Sequence, residues 1–333
     1  MLSSIQQKIL KLLAINCRYT NKDIARIVHT SEDAVHYQIT KLIEQEQRSY
    51  FVVTFDYKKL GFNHHHYLIR LIDPDLIPMD ALQRIEEISF INTCFGAYDL
   101  QLLLLSRNDS EFYAVKKKVD DLLIGNIDES ILLQYFAQFK YTNVVPFIDV
   151  PVTLPKNQKN PLYAYAREDY CSLQETLLPA PKFTLLEKKT IRYLLNHPRA
   201  SYLEIAKKTN QSHESVRQQL YKFVGQGFIA NFGIFHYYEK YDYFTHFFLL
   251  NVRDLDKKKF TRFVQENKNI FYAAELIGSY NIVLYVTVHT PSEFHEQTRI
   301  LRKHFGKNLA AIQMLSFQSL IKSTQFPMAL LNE

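Results

Sequence analysis

The sequence matches itself at a spacing of 181 residues, and this repeat limits the possible folds more than any other feature. After a shift of one residue the match continues at 182, as far as the end of the second copy. The 333-residue chain is therefore interpreted as one module present twice. The matched pairs include Lys8 with Lys189, Arg18 with Arg199, Ser31 with Ser212, Val35 with Val216, Gly96 with Gly278 and Tyr98 with Tyr280.

A proline-rich stretch separates the two copies. Residues 146–181 hold six of the eleven prolines. Proline removes a backbone donor and fixes φ, so the stretch is interpreted as an extended linker with a short helix within 162–173. The predicted domains are a winged helix-turn-helix at 1–60, a βαββαβ domain at 61–147, the linker at 148–182, a second winged helix-turn-helix at 183–242 and a second βαββαβ domain at 243–327.

Each copy opens with the signals of three short helices. Ser3-x-x-Gln6 and Thr184-x-x-Glu187 are capping boxes at matching positions, each followed by apolar residues at helical spacing. Second helices are expected after Thr20 and Ser201, and third helices after Ser31 and Ser212. Strand-rich segments at 50–57 and 229–238 follow, and they predict a wing beside each helix-turn-helix.

The rest of each copy alternates strands and helices in the order βαββαβ. This order predicts a ferredoxin-like antiparallel sheet of four strands with both helices on one face. Apolar residues on both faces of the strands indicate that a second such sheet covers the other face. The predicted fold class is α+β, with two copies of a winged helix-turn-helix followed by a βαββαβ domain.

Composition excludes several classes of protein and site. With eight glycines, the chain has neither G-x-G-x-x-G nor G-x-x-x-x-G-K-[ST], which disfavours nucleotide enzymes. Three cysteines without a C-x-x-C motif argue against disulfides and thiolate metal sites. In the run His64-His65-His66 adjacent strand side chains point to opposite faces, so only His64 and His66 could share an ion. Histidines at a strand edge are the favoured interpretation, and no metal or cofactor is predicted.

No apolar run approaches the roughly 20 residues of a bilayer span. Residues 1–13 are amphipathic and lack the layout of a secretory signal. The expected location is the cytoplasm, with no membrane partner.

The positive charge is concentrated in the two predicted helix-turn-helix segments. The net charge is +6. Residues 1–60 carry six Lys, three Arg and six acidic residues, and residues 183–242 carry six Lys, three Arg and five acidic residues. These two segments hold all of the excess, which indicates a polyanionic partner, and double-stranded DNA fits helix-turn-helix segments.

The chain resembles the leucine-responsive regulator (Lrp/AsnC) family of prokaryotic transcription factors, in tandem. The resemblance rests on the third-helix pattern, which includes Ser31, Val35 and Ile39, and on the G-x-Y-D hairpin at 96–99. It implies a DNA-binding winged helix-turn-helix, and a ligand-sensing RAM domain that dimerises sheet to sheet. The sequence departs from the family pattern where Gln38 and Gln219 replace an arginine, and where Glu46 replaces a glycine.

The candidate DNA-binding residues are the exposed positions of the third helices together with basic residues of the second helices. Arginine can bond guanine edges and glutamine adenine edges in the major groove, so the second copy is better suited to base recognition than the partly acidic first copy. The candidates are Lys22, Arg26, Glu32, Asp33, His36, Tyr37, Thr40 and Lys41 in the first copy and Lys207, Lys208, His213, Glu214, Arg217, Gln218, Tyr221 and Lys222 in the second.

The resemblance also implies an amino acid or another small metabolite as effector, near the two hairpins. Asn281 replaces the aspartate of the first hairpin and would make the two effector sites unequal. The two tyrosines are equally compatible with hairpin packing. The candidate effector-binding residues are Gly96, Tyr98, Asp99, Gly278, Tyr280 and Asn281.

Two classes of function remain. The favoured one is a sequence-specific transcription regulator, not an enzyme, whose two modules form an intrachain pseudo-dimer; further homo-oligomerisation stays open. In a variant of this hypothesis the first helix-turn-helix acts through protein contacts alone. The alternative is an enzyme, because siroheme decarboxylases resemble the same duplicated module. Those enzymes would be expected to have histidine-bearing, arginine-rich segments near the hairpin, where this chain has 94–96 and 275–277.

Overall fold

The computed structural model describes residues 2–144, 146–148, 150–155, 162, 170–172 and 177–332. The chain divides into two compact units, each built from separate stretches of sequence. Unit 1 comprises 1–56, 142–170 and 182–242, and unit 2 comprises 57–141, 171–181 and 243–333. The mixed α+β class, with a helix-turn-helix at the N-terminus and a β-sheet domain, is confirmed.

Unit 1 contains two sets of three helices followed by a strand. The first set is α1 (Ser4–Ile15), α2 (Asn21–Val28), α3 (Glu32–Ile39), a π-helical turn (Thr40–Gln45) and β1 (Ser49–Phe55). Both residues of the capping box make their reciprocal hydrogen bonds at Ser3 and Gln6, as predicted. Thr20 and Ser31 cap α2 and α3 with their hydroxyls.

The second set is α6 (Leu185–Asn196), α7 (Tyr202–Thr209), α8 (His213–Gly225) and β7 (Ile229–His236). The starts of α6, α7 and α8 lie 181 residues after those of α1, α2 and α3. The second capping box, at Thr184 and Glu187, is also formed. In the second copy the third helix continues without a π-turn to Gly225.

The strands of unit 1 pair with each other, which differs from the wing expected beside each helix-turn-helix. β1 and β7 form a two-stranded antiparallel sheet in which Val52 lies opposite Gly233. Each set of helices contributes one strand, and the backbone groups of that strand find their partners on the other set. The strand pairing therefore joins the two helix-turn-helix segments within one unit.

Two pieces of the proline-rich segment pack against the first set of helices. Ile148 and Leu162 are fully buried, and the Asn16 side-chain amide donates to the Leu162 carbonyl at 2.6 Å. The His236 ring bonds the Asn143 carbonyl at 3.1 Å. Most of the short helix predicted within 162–173 lies outside the described residues, and 170–172 form a strand, β6.

Unit 2 contains two βαββαβ series. The first is β2 (Asn63–Leu71), α4 (Met79–Arg84), β3 (Ile88–Gly96), β4 (Leu100–Ser106), α5 (Asp109–Leu122) and β5 (Ile127–Tyr141). The second is β8 (Phe244–Val252), α9 (Lys257–Glu266), β9 (Ile270–Ile277), β10 (Ile282–Val288), α10 (Pro291–Phe305) and β11 (Leu309–Ser323), followed by α11 (Ala329–Asn332).

The strand pairings of unit 2 close into a ring. The order is β2-β4-β3-β11-β8-β10-β9-β5, β5 also pairs with β2, and the short β6 lies beside β5. The long strands β5 and β11 each begin beside a strand of their own series and end beside a strand of the other. All the described pairings among the eight strands of the ring are antiparallel.

Successive residues of these strands face different cores. One core packs α4 and α5 against Tyr67, Ile69 and Leu102, and a second packs α9 and α10 against the other series. A third core lies inside the ring and includes Leu68 and Phe247 from opposite series. Each sheet therefore covers the inner face of the other.

Candidate nucleic-acid interface and interior site

The third helix of the second copy presents a compact polar surface. Glu214 accepts two hydrogen bonds from Arg217, at 2.8 and 2.7 Å, and a third from the Gln218 amide at 3.0 Å. The Arg217 guanidinium lies 5.4 Å from the centre of the Tyr221 ring. These contacts hold the arginine in a defined orientation on an exposed face, and His213 is exposed at the start of the same helix.

The basic residues predicted to contact phosphate in the second copy have different surroundings. Lys207 and Lys208 are exposed at the end of α7 and make no ion pair with the described residues. Lys222 instead donates at 2.7 Å to Glu187, a buried carboxylate of the capping box. This bond, together with the cap, outweighs desolvation and lowers the pKa of Glu187. Lys222 is thus engaged in holding α8 to α6.

The corresponding surface of the first copy is more acidic and less regular. Glu32, Asp33 and His36 are exposed, and the Tyr37 side chain is 58% exposed. Thr40 and Lys41 lie in the π-turn, and Lys41 is 3.8 Å from Glu46. In α2, Lys22 is exposed and Arg26 lies 3.7 Å from Asp23. The structure brings these residues onto one unit with those of the second copy; their role in DNA binding stays a prediction.

Two arginines that sequence analysis noted only as a matched pair connect the two helix-turn-helix segments. Arg18 donates to the carbonyls of Pro198 and Ala200 at 2.9 and 3.0 Å, and lies 5.2 Å from the centre of the Phe232 ring. Arg199 makes reciprocal contacts with the carbonyl of Tyr19 and the side chain of Asn21, at 3.1 and 3.0 Å. We call these residues the arginine clasp. The sequence repeat was the one signal for this contact, because it places an arginine directly after the first helix of each copy.

The two hairpins predicted to bind an effector have structural partners. Asp99 accepts from the backbone N–H of Leu71 at 2.8 Å, and Asn281 accepts from that of Val252 at 2.9 Å and donates to its carbonyl at 2.7 Å. Asn281 therefore makes one hydrogen bond that an aspartate could not. Each side chain therefore hydrogen-bonds backbone groups at the end of a neighbouring strand.

The glycines and tyrosines of the hairpins lie near the junction of the two series. Gly96 has φ of +126°, and a Cβ there would lie 3.0 Å from the Met314 carbonyl of β11. Gly278 has φ of +150° and faces β5. Tyr98 and Tyr280 both pack against the core inside the ring. Burial, with help from Glu129, raises the pKa of Tyr98 to about 12. Effector binding by these residues stays a prediction.

The interior of unit 2 holds an aromatic cluster that sequence analysis missed. Tyr272 lies between Tyr141 and Tyr285, with ring centres 6.5 and 4.7 Å away, and Tyr285 lies 5.6 Å from Phe317. Tyr57 is close enough to Tyr141 and Tyr272 for each to affect the ionisation of the other. We call Tyr57, Tyr141, Tyr272, Tyr285 and Phe317 the interior cluster. They lie far apart in sequence, so only the ring topology brings them together.

The histidine run lies beside this cluster, and its placement at a strand edge is wrong. β2 is paired on both sides, and His64, His65 and His66 are buried. As the alternation predicts, His65 stacks on Phe112 of α5, whereas His64 and His66 point the other way, with ring centres 6.1 Å apart. Burial lowers the pKa of His66 to about 3 and lowers that of His64 well below its ordinary value. Within the described ranges no three His, Cys, Asp or Glu side chains come together as metal ligands.

Comparison with known proteins supports a DNA-binding segment and gives a likeness for the whole chain. Residues 2–43 match the AsnC-type helix-turn-helix domain. An uncharacterized HTH-type transcriptional regulator from Pyrococcus abyssi is 26% identical over 110 residues, which are 32% of this chain and 74% of that protein. The structure of the siroheme decarboxylase NirDL covers 98% of this chain and 97% of its own, with a TM-score of 0.57 and 14% identity. Its co-complex with an iron-uroporphyrin III analogue gives a TM-score of 0.56 at 13% identity, over 98% and 95%.

The likeness to NirDL corrects one prediction. The sequence was interpreted as that of a protein that is not an enzyme, and this is wrong, because the whole chain has an enzyme-like fold. At 14% identity the likeness concerns the fold alone. Among the described residues, no helix has the length and apolar character needed to cross a bilayer.

Proposed function

We propose that the chain is a sequence-specific DNA-binding transcription regulator of Lrp/AsnC type, and that its two third helices contact one duplex. The main support is the AsnC-type match at 2–43, in a unit where a second set of three helices is joined to the first through β1 and β7. A helix-turn-helix places its third helix in the major groove. Because both copies belong to one unit, they would meet DNA at a fixed separation.

In this proposal the third helix of the second copy recognises bases, and the basic C-terminal end of α7 binds phosphate. Glu214 bonds the Nε and one Nη of Arg217, and the remaining N–H groups of the guanidinium would donate to a base edge. Lys207 and Lys208 are exposed and supply charge to the backbone. The first copy contributes His36 at the position equivalent to Arg217, so the two halves of the operator would differ.

Selection of bound duplexes from a random pool at two salt concentrations tests the proposal. We expect a motif without palindromic symmetry, with two halves about 10 base pairs or a multiple apart. Arg217→His, which installs the first copy's residue, should relax one base position with a loss of roughly tenfold. Joint Lys207→Ala and Lys208→Ala substitution should weaken all sequences alike and reduce the salt dependence.

Lys189→Ala is the matched control, because Lys189 is exposed on α6, outside the third-helix surface. A perfect palindrome with equal protection of both halves would contradict the proposed division between copies. A loss of binding free energy in Lys189→Ala about half as large as in the α7 variant, which removes two charges, would show that binding follows net charge and not this surface.

A second candidate function is catalysis on a small molecule in the interior of unit 2. The likeness to NirDL and the buried histidine pair beside four tyrosines favour it. Among the residues that the structure describes, His64 Nδ1 and His66 Nε2 have no hydrogen-bond partner, and unpaired buried nitrogens are costly unless a ligand or reaction uses them. Incubation with siroheme tests the decarboxylase form of this candidate through spectral change and loss of carboxylate; an unchanged spectrum with intact siroheme would contradict it.

A further inference from the structure

The parts of the two βαββαβ series that contain the helices carry opposite net charge. Residues 71–125 hold five basic and ten acidic residues, whereas the matched residues 253–307 hold ten basic and six acidic ones. The sign reverses at matched positions 182 residues apart, where aspartates of the first series become basic in the second. These pairs are Asp80 with Arg262, Asp120 with Arg302 and Asp121 with Lys303.

The positive charge of the second series lies on one surface of α9 and α10. The Phe263 ring of α9 stacks on the His304 ring of α10 with centres 3.9 Å apart. The Arg253 backbone N–H donates to the Asn308 carbonyl at 2.8 Å, just beyond the end of α10. These contacts bring together six exposed basic residues, which we call the basic face: Arg253, Lys258, Arg262, Arg302, Lys303 and Lys307.

The protein does not itself neutralise the basic face. Within the described ranges none of its six side chains forms a salt bridge, although other basic residues of α9 and α10 do. On α5 of the first series, by contrast, Lys116, Lys117 and Lys118 each pair with an acidic residue, at 2.6, 2.7 and 2.8 Å. The charge of the basic face is therefore available to an external anion.

Local helix energetics do not account for this charge. Lys258 lies in the first turn of α9, which contains no acidic residue, and positive charge is unfavourable at the N-terminus of a helix. Lys258 and Arg262 also stand four residues apart, where like charges destabilise a helix. Only Arg302 and Lys303, in the last turn of α10, gain from the helix dipole. An arrangement that costs α9 stability indicates a ligand that uses it.

We propose that the basic face binds the phosphate backbone of double-stranded DNA without recognising its sequence. Clustered arginines and lysines attract phosphates through charge, and protein–DNA interfaces are strongly positive. None of the exposed large apolar side chains of the described chain lies on α9 or α10, whereas a helix that binds a bilayer buries an apolar face. The inference rests on the proposed function for its choice of duplex DNA among polyanions, and it adds a contact surface on unit 2.

Binding of a labelled random-sequence duplex to the full-length protein, followed by fluorescence anisotropy at several salt concentrations, tests the inference. The joint Arg262→Ala, Arg302→Ala and Lys303→Ala variant should bind at least about tenfold more weakly at low salt. The slope of log affinity against log salt concentration should fall by roughly 2 to 3, because each lost phosphate contact lowers it by about 0.9. Replacing the same residues by the aspartates of the first series should weaken binding further.

The joint Arg84→Ala, Lys117→Ala and Lys118→Ala variant is the matched control, because it removes the same number of exposed charges from α4 and α5. Equal losses in the two variants would show that binding follows net charge, and would overturn the inference. Unchanged duplex binding by the basic-face variant, or no duplex binding by the wild type, would also overturn it.

A duplex that carries the selected motif separates this inference from the proposed function. Arg217→His should weaken binding of the motif duplex and change that of the random duplex little, whereas the basic-face variant should weaken both by the same factor. If selection returned no motif while the basic-face variant still lost duplex binding, the proposed function would fail and the inference would stand. A motif bound equally well by the basic-face and control variants would have the opposite meaning.

Poly-L-glutamate and phosphatidylglycerol vesicles are the alternative polyanions. If the basic-face variant lost binding to either of them and kept its duplex affinity, the partner would be an acidic protein or a membrane surface, and the inference would be overturned. Thermal unfolding establishes that each variant is folded. Should the triple variant be unstable, the joint Lys258→Gln and Lys307→Gln variant removes two other charges of the same face and should lower the slope by roughly 2.

Discussion

The two helix-turn-helix segments of unit 1 share the lengths of their first two helices but differ in what covers the first helix. In α1, Leu12, Ala14 and Ile15 point in different directions and are all buried, so the last turn of the helix is covered by protein. In α6 the equivalent residues are partly or fully exposed. The cover on α1 is the chain's own segment around Ile148 and Leu162. The segment that connects two similar copies has therefore made them unequal.

The equivalent place beside α6 is open. A cavity of about 540 Å³ lies between the first copy's strand residues, which include Tyr50 and Phe51, and the end of α6 around His197. On the covered side Asn143 lies directly over Gly233 and beside Ala14. The residue that pairs with Gly233 is Val52, which stands at the equivalent position of the first copy and carries a branched side chain there. The absence of a side chain at Gly233 leaves room for Asn143 on the covered side.

The largest loss of stability is expected when Gly233 is replaced by the valine of the first copy. Gly233→Val should displace Asn143, since any Cβ there meets the Asn143 amide and lies 3.1 Å from the Ala14 carbonyl. We expect a loss of about 2–3 kcal/mol in the free energy of unfolding of unit 1, measured by urea denaturation. Gly225→Ala is the control, because its Cβ would enter open space. Unchanged stability of Gly233→Val would refute this explanation of the asymmetry.

The arginine clasp gives a second comparison between copies. Arg18 donates to two backbone carbonyls. Arg199 donates to one backbone carbonyl and to the side chain of Asn21. We expect Arg18→Leu to destabilise unit 1 by about 2 kcal/mol and Arg199→Leu by about 1 kcal/mol, because charged hydrogen bonds to buried carbonyls are the harder to replace. Urea denaturation of both variants checks the order; the reverse order would show that the carbonyl contacts are not what matters.

Local features were predictable from the sequence, and contacts between distant parts of the chain were not. Both capping boxes formed because their hydrogen bonds lie within four residues of each other. The pairing of β1 with β7 was not predictable, since alternating strands suit a local wing equally well. The burial of His64 and His66 depends on β5 closing the ring onto β2. The same closure assembles the interior cluster, and no local pattern encodes it.

A third difference concerns pH. His236 occupies the position of Phe55 in the first copy, and it contacts Ser49, Tyr241 and the Asn143 carbonyl. Burial lowers its pKa to about 4. The unfolded chain, with an ordinary pKa near 6.5, binds the proton first, so this histidine costs stability as pH falls from about 6.5 to 4. Above that window it has no pH-dependent effect.

We expect His236→Phe to reduce the loss of stability on acidification. The difference in slope should approach about 1.4 kcal/mol per pH unit within the window, which amounts to about 1.3 kcal/mol between pH 7.5 and pH 5.5. Urea denaturation at pH 7.5, 6.5 and 5.5 measures it. The variant also loses two hydrogen bonds, so its stability at pH 7.5 serves as the baseline. Parallel curves for variant and wild type would show that His236 titrates normally.

The smallest effect concerns the end of the third helix. In the second copy Gly227 has φ of +70°, a conformation that glycine adopts freely. In the first copy the π-turn adds a residue, and Gln47 takes the corresponding conformation with φ of +47°. Gln47→Gly should therefore stabilise the first copy by up to about 1 kcal/mol, and Gly227→Gln should destabilise the second by a similar amount. Thermal unfolding of both variants measures the pair. If Gln47→Gly destabilised the protein instead, contacts of the exposed Gln47 side chain would have to outweigh the backbone strain, and the π-turn would be a stabilised feature of the first copy.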